Sequence, residues 1–356
     1  MTKKPIFLSF CPVTEAKSRR NFIRKKQKPE KSIIFATENI SGSPYRIMIN
    51  RALIRLKVVQ LVYAYYKDGE KTPETALKEL DFSLSKAYEL YFYLLNQLVS
   101  LQEYGERKAE ALEARATRMN LNQNLAFADK RFSENKILLQ LKENPTLAQY
   151  RERREEWEEE PSFIKDLYNR FTQSDDFQAY LDAEDFSYEA DREIIRRLYK
   201  TIICQNDDFE QLLEDHSLYW NDDKEIVDSF VLKTIRRYNP NLKPEEELLP
   251  KYDSQEDEEF GQRLYKAVLE REEETRQLIQ ENAQNWEFSR LPFMDIIIMQ
   301  IALAEILTFN DIPLNVSFSE YLDIAKIYST PKSSRYINGL LDHVVKKLRA
   351  EGKLLK

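Results

Sequence analysis

The chain has 356 residues, 42% apolar and 32% charged, which allows two or three domains with sizeable cores beneath a charged surface. Six glycines, against a usual ~7% of residues, and the lack of any GxGxxG or P-loop pattern exclude the common glycine phosphate cradles. His216, His343, Cys11 and Cys204 are the only residues of their types and lie far apart, so no metal site, Cys–His nucleophile or disulfide scaffold is expected.

No apolar run reaches the ~18 residues of a membrane helix. Met1 to Val13 is broken by Pro5 and Pro12 and lacks a small-residue cleavage site, so it does not read as a signal peptide. The cytoplasm is the expected compartment. Net charge is −7 but uneven. Residues 1–57 carry 14 Lys/Arg against 3 Glu, and residues 245–274 carry 12 acids against 4 bases. A basic end on an acidic body points to an anionic partner, nucleic acid first.

Residues 1–47 show no sustained period and read as a disordered basic extension. Ile54, Val58, Leu61, Val62 and Tyr65 then recur at helical spacing from Met48 onward. Arg51, Arg55 and Lys57 fall at the edges of that stripe, as a basic rim that presents cations outward. Lys67-Asp68-Gly69 is a turn, Thr72 an N-cap and Pro73 a first-turn residue. A short helix to about Leu80 and a long one from Ser83 to about Met119 are predicted, followed by a loop over 120–135 and a break at Asn144-Pro145. Arg151 to Glu160 reads as a solvated helix face around Trp157. Pro161 opens another helix through Phe163, Leu167 and Phe171.

The chain also resembles itself at an offset of 66. Residues 191–220 and 257–286 share Asp, Glu, Arg-Leu-Tyr-Lys, Gln-Leu and Trp at matching positions, Asp191 with Asp257 and Trp220 with Trp286 at the two ends. The rare Trp in step favours duplication over chance. Each copy reads as a long helix, a Trp-containing turn and a second helix.

Asp295 to Thr308 is apolar nearly all round and should be a central buried helix, with Glu305 as an exception that needs a partner. Asn310-Asp311-Ile312-Pro313 is a tight connection. Val316-Ser317 with Glu320 and Tyr321 reads as a capping box with a staple. Pro331 to Ser334 breaks the chain again and caps a final helix with Ile337, Leu340, Leu341, Val344, Val345 and Leu348 on one face. Gly339 sits inside that helix at a cost of about 1 kcal/mol relative to Ala, which suggests a close backbone approach, here to the central helix.

Leu303-Ala304-Glu305-Ile306, Asp311-Ile312-Pro313, Glu320, Ala325-Lys326 and Tyr336-Ile337-Asn338-Gly339-Leu340-Leu341-Asp342 resemble the C-terminal half of the NusB family of transcription antitermination factors. The helix at 48–66, with Arg51, Arg55, Val59-Gln60 and Tyr63, resembles that family's arginine-rich first helix. The resemblance covers roughly a third of the chain. It implies an all-α fold of helical bundles and no catalysis. It implies binding of boxA-like single-stranded RNA together with the small-subunit ribosomal protein NusE, in the RNA polymerase antitermination complex. By the same resemblance, RNA contacts fall on Arg51 and Arg55 in the first helix and on Lys332, Ser333, Arg335 and Tyr336 at the last; Lys57, on the basic rim, is expected to hold phosphate with them. The domain plan expected is an extension 1–47, an N-terminal bundle 48–119, an inserted helical region 120–254 and a C-terminal bundle 255–356. A protein-binding scaffold is the competing reading. The RNA-binding part of a ribosomal RNA methyltransferase is disfavoured, because no methyl-donor loop or catalytic Cys is evident.

Overall fold

A computed structural model describes residues 47–120, 123–153, 161–217, 219–283, 291–330 and 332–354. The expected basic extension, the charge run around Trp157 and the second tryptophan of the repeat, Trp286, lie almost wholly or wholly outside these residues. Among the described residues there are sixteen α-helices and no strand, so the all-α expectation holds. The chain divides into two compact units. One takes in the described residues up to Leu61 together with Glu70–Arg263; the other takes in Val62–Gly69 and Leu264 onward.

In the first unit, the chain before helix α1 (Arg51–Asp68) is pinned by Met48 and Ile49, whose N–H groups donate to Pro250 and Lys251 carbonyls at 2.9 Å each. Helix α2 (Pro73–Met119) is one element of 47 residues, where the sequence predicts two. The Thr72 hydroxyl accepts from the Thr75 N–H, Pro73 needs no donor there, and Asn120 ends the helix in the left-handed region at φ 50°. The sequence around Leu80 to Ser83 contains no helix breaker, so the helix carries through. Its apolar stripe, from Leu80 to Leu101, is the axis of the core. Gly105 lies where the Tyr168 ring comes closest: an added Cβ would sit 2.9 Å from its Cε2. Here the lack of a side chain is a packing requirement.

The predicted loop at 120–135 is instead a 3₁₀ turn at Gln123–Ala126 and helix α3 (Phe127–Ser133). Helices α4 (Lys136–Glu143) and α5 (Pro145–Glu152) follow, with the Asn135 and Asn144 side chains capping their N-termini. The Asn144-Pro145 break is therefore a helix start. Helix α6 (Pro161–Thr172) begins where Pro161 predicts. Then come α7 (Asp175–Asp182), α8 (Tyr188–Leu198) with a π turn at Tyr199–Ile203, α9 (Asp207–His216), α10 (Trp220–Arg237), and a short α11 (Pro244–Glu247). The Trp220 indole donates to the Lys86 carbonyl at 3.0 Å and ties α10 to α2.

This unit buries several carboxylates, each held by donors as burial demands. Asp191 accepts from Arg131, Tyr180 and the Lys136 N–H. Glu247 accepts from Gln140 and Asn144 at 2.7 Å each. Asp228 accepts from Tyr199 and Lys224, also at 2.7 Å each. Segments 70–119 and 120–254 thus share one core.

Helix α12 (Gln255–Glu270) begins in the first unit and continues into the second. The second unit adds α13 (Glu272–Asn282), α14 (Phe293–Thr308), α15 (Leu314–Tyr328) and α16 (Ser333–Ala350). As its composition predicts, α14 is buried nearly throughout. Glu305 accepts from Ser317 at 2.6 Å and Tyr321 at 2.9 Å, both on α15. Ser317 is therefore not a cap: α15 starts three residues earlier, after Pro313, and turns the Ser317 hydroxyl inward. Gly339 differs from expectation as well. It lies on the outward face of α16, and a Cβ there would meet nothing within 4 Å.

Candidate nucleic-acid interface

In sequence, helix α1 reads as amphipathic with a basic rim. In the structure Leu53 to Val59 are all buried, the charged positions included. A helix enclosed on all sides has no outer rim at its edges. Arg51 stays half-buried. Its Nε donates to Asp257 and its Nη2 to Glu256, both at 2.8 Å, and its guanidinium lies 5.0 Å from the centre of the Phe260 ring. Arg55, one turn on, lies 5.2 Å from the same ring and is only 2% exposed. Gly261 lets this contact close: its Cβ position is 3.0 Å from Ile54.

Lys57 points elsewhere. Two residues past Arg55 on a helix is a rotation of about 200°. The Lys57 ammonium meets Asp223 of α10 at 2.5 Å, with side-chain exposures of 2% and 0%. Burial pushes the Asp223 carboxyl up to about 6, while Lys57 works to lower it. Desolvation therefore outweighs the cation's pull.

In the second unit, the start of α16 gathers the remaining four residues. Lys332 and Arg335 are exposed. Ser333 is buried in a chain of hydroxyls: Ser329 donates to Asp295, and Ser333 bonds Ser329 and Thr330 at 2.8 Å each. That chain anchors the first turn of α16 to the first turn of α14. Tyr336 is half-buried, and burial followed by the Asp295 charge raises its phenol. The arrangement places two exposed cations and a half-buried tyrosine at one helix start.

The candidate residues read from sequence stop at Tyr336, yet the outward face of α16 continues through Asn338, Gly339, Asp342, His343 and Lys346, all exposed. The signal is there in the sequence: Arg335, Gly339, His343 and Lys346 recur at helical spacing opposite the apolar stripe. Among the described residues no three His, Cys, Asp or Glu side chains group as metal ligands, and no helix is long and apolar enough to cross a membrane.

Fold and site together define an all-helical bundle protein with a cationic helix start. The profile of the NusB family matches residues 229–346. Over 104 residues the chain is 32% identical to the transcription antitermination protein NusB of Bacillus licheniformis, covering 29% of this chain and 81% of that protein. It is 36% identical over 98 residues to the NusB protein of Salinibacter ruber, and 37% over 98 residues to that of Chloroherpeton thalassium. Those matches span 28% of this chain, and 61% and 46% of the two relatives. The chain belongs to the NusB family. No solved structure matches it to the same standard.

Proposed function

We propose that the protein is a non-enzymatic, RNA-binding transcription antitermination factor of the cytoplasm. It acts on boxA-type single-stranded leader RNA with the small-subunit ribosomal protein NusE, as part of the RNA polymerase antitermination complex. The observation that carries this reading is the start of α16, where Lys332 and Arg335 stand exposed beside Tyr336 on a turn fixed by Ser333. Two exposed cations can neutralise phosphates, and the ring of a half-buried tyrosine can stack on an unpaired base. On the other unit Arg51, whose side chain keeps 30% of its surface exposed, is a separate candidate contact. Arg55 and Lys57 are enclosed and hold α1 within its own unit.

The test is binding of boxA-like RNA, with and without the ribosomal protein, in wild type and in Lys332→Glu/Arg335→Glu. The reading expects wild-type binding that weakens steeply with salt, and loss of affinity in the variant. Lack of RNA affinity at low salt with the partner present refutes it. The enclosure of Arg55 and Lys57 favours the second reading, a scaffold that binds proteins alone; intact partner binding with no RNA affinity in wild type would select it.

A further inference from the structure

Among the described residues nothing explains a glycine at position 339. It lies mid-helix in α16, faces solvent, and has open space where its Cβ would be. A glycine there gives up backbone entropy that any other helix former would save. Among the described residues no turn or packed neighbour compensates, so this face of the helix is open to a partner.

The surroundings say what approaches. Arg335 stands one turn before Gly339 and His343 one turn after, with Lys332 and Lys346 beyond them, all exposed. From Lys332 to Lys346 the line is about 21 Å long at the helical rise. Asp342 is the acid on this face, and it holds Lys346 at 2.7 Å in an exposed pair. Such pairs give way readily to a stronger anion. An apolar partner would need apolar neighbours, and α16 exposes no large hydrophobic side chain. The inward residues Ile337, Leu340, Leu341, Val344 and Val345 hold the helix rigid.

We propose that the outward face of α16 is a track for the backbone of single-stranded RNA, which crosses the helix in contact at Gly339 while Lys332, Arg335 and Lys346 hold phosphates to either side. This rests on the RNA-binding reading above and extends the interface past the helix start. The absence of a side chain at Gly339 lets the sugar–phosphate chain reach the helix surface; any side chain lifts it away and lengthens the distances from cation to phosphate.

The test uses the full chain, Gly339→Ala and Gly339→Gln, with labelled boxA-like RNA and a uridine homopolymer of equal length as probes. Both replacements are better helix formers in open space, so thermal unfolding should occur at the same temperature or higher. RNA affinity should fall about tenfold or more for Gln and less for Ala. The salt slope should drop by about one for each phosphate the protein no longer holds, and Lys346→Glu should lower it likewise. Wild-type affinity retained by Gly339→Gln overturns the track and leaves the RNA reading standing. Failure of wild type to bind either probe overturns both. Loss of affinity for the ribosomal protein alone, with RNA binding intact, overturns the track in favour of a protein-docking face.

Discussion

Removing one member of the Lys57–Asp223 pair should cost far more than removing both. The side chains are 2% and 0% exposed and meet at 2.5 Å. Lys57→Met leaves a carboxylate buried without its cation, and Asp223→Leu leaves the ammonium alone. Each single change should cost about 3–5 kcal/mol, whereas the double variant, which replaces two ions by apolar side chains, should lie within about 1 kcal/mol of wild type. The implied coupling energy is several kcal/mol, beyond the usual additivity error of about 0.5 kcal/mol. Urea unfolding followed by circular dichroism measures it. The pH dependence carries an independent sign. Because burial raises the Asp223 carboxyl to about 6, the folded state holds a proton there that the unfolded chain releases near pH 4. That contribution is fully present below about pH 4 and is lost as pH rises through about 6. Wild type should therefore gain up to about 3 kcal/mol on the double variant between pH 7.5 and pH 4. A Lys57→Met protein of unchanged stability that binds RNA weakly would refute the reasoning, and would return Lys57 to an RNA-facing role.

Gly105→Ala should destabilise by about 1–3 kcal/mol, since the new methyl lands 2.9 Å from the Tyr168 ring; the urea midpoint reads it. Asp191→Asn should cost about 3 kcal/mol or more by stripping the charge partner from buried Arg131, as read by thermal unfolding. Gly339→Ala should raise stability by about 0.5–1 kcal/mol in the same assay, as expected of an exposed helix position with open space. Thr72→Ala should lower it by about 1 kcal/mol through loss of the α2 cap, which accepts from the Thr75 N–H at 3.3 Å.

What is legible in the sequence is whatever depends on local pattern. The all-apolar run of α14, the stripe of α16, Thr72 before Pro73, and Pro161 at the head of α6 each announce an element through its own residues. What is not legible depends on what covers an element. The stripe of α1 gives one buried face, but its other side is closed by Phe260 against Arg55 and by Asp223 against Lys57, partners about 200 and 170 residues away. A cation at the edge of a stripe looks the same in sequence whether the next layer is water or protein. Gly339 shows the same ambiguity in reverse: a helical glycine suggests close internal packing, and only the surrounding space shows that it faces outward. The run 120–135 reads as a loop because its helices are too short for periodicity to register; Asn135 as a cap is the signal it does carry.

The offset of 66 gains weight from where the breaks fall. Helix α9 runs from Asp207 to His216, and α13 from Glu272 to Asn282, so the two coincide within one residue when shifted by that offset. Leu198 and Tyr199 are fully buried, as are Leu264 and Tyr265. The matched aspartates do the same work: Asp191 takes the guanidinium of Arg131 from an earlier helix, and Asp257 takes that of Arg51. They differ in enclosure. Asp191 has no exposed surface, while the Asp257 side chain keeps 17% and Arg51 keeps 30%. Chance similarity between two acidic helices gives no reason for matched breaks and matched arginine clamps. Duplication gives one, and the difference in burial then says what became of the copy. An ion pair with both members enclosed is fixed by its surroundings; one left partly in solvent is screened and holds less tightly. The earlier clamp has become fully enclosed, and the later one stays part-exposed.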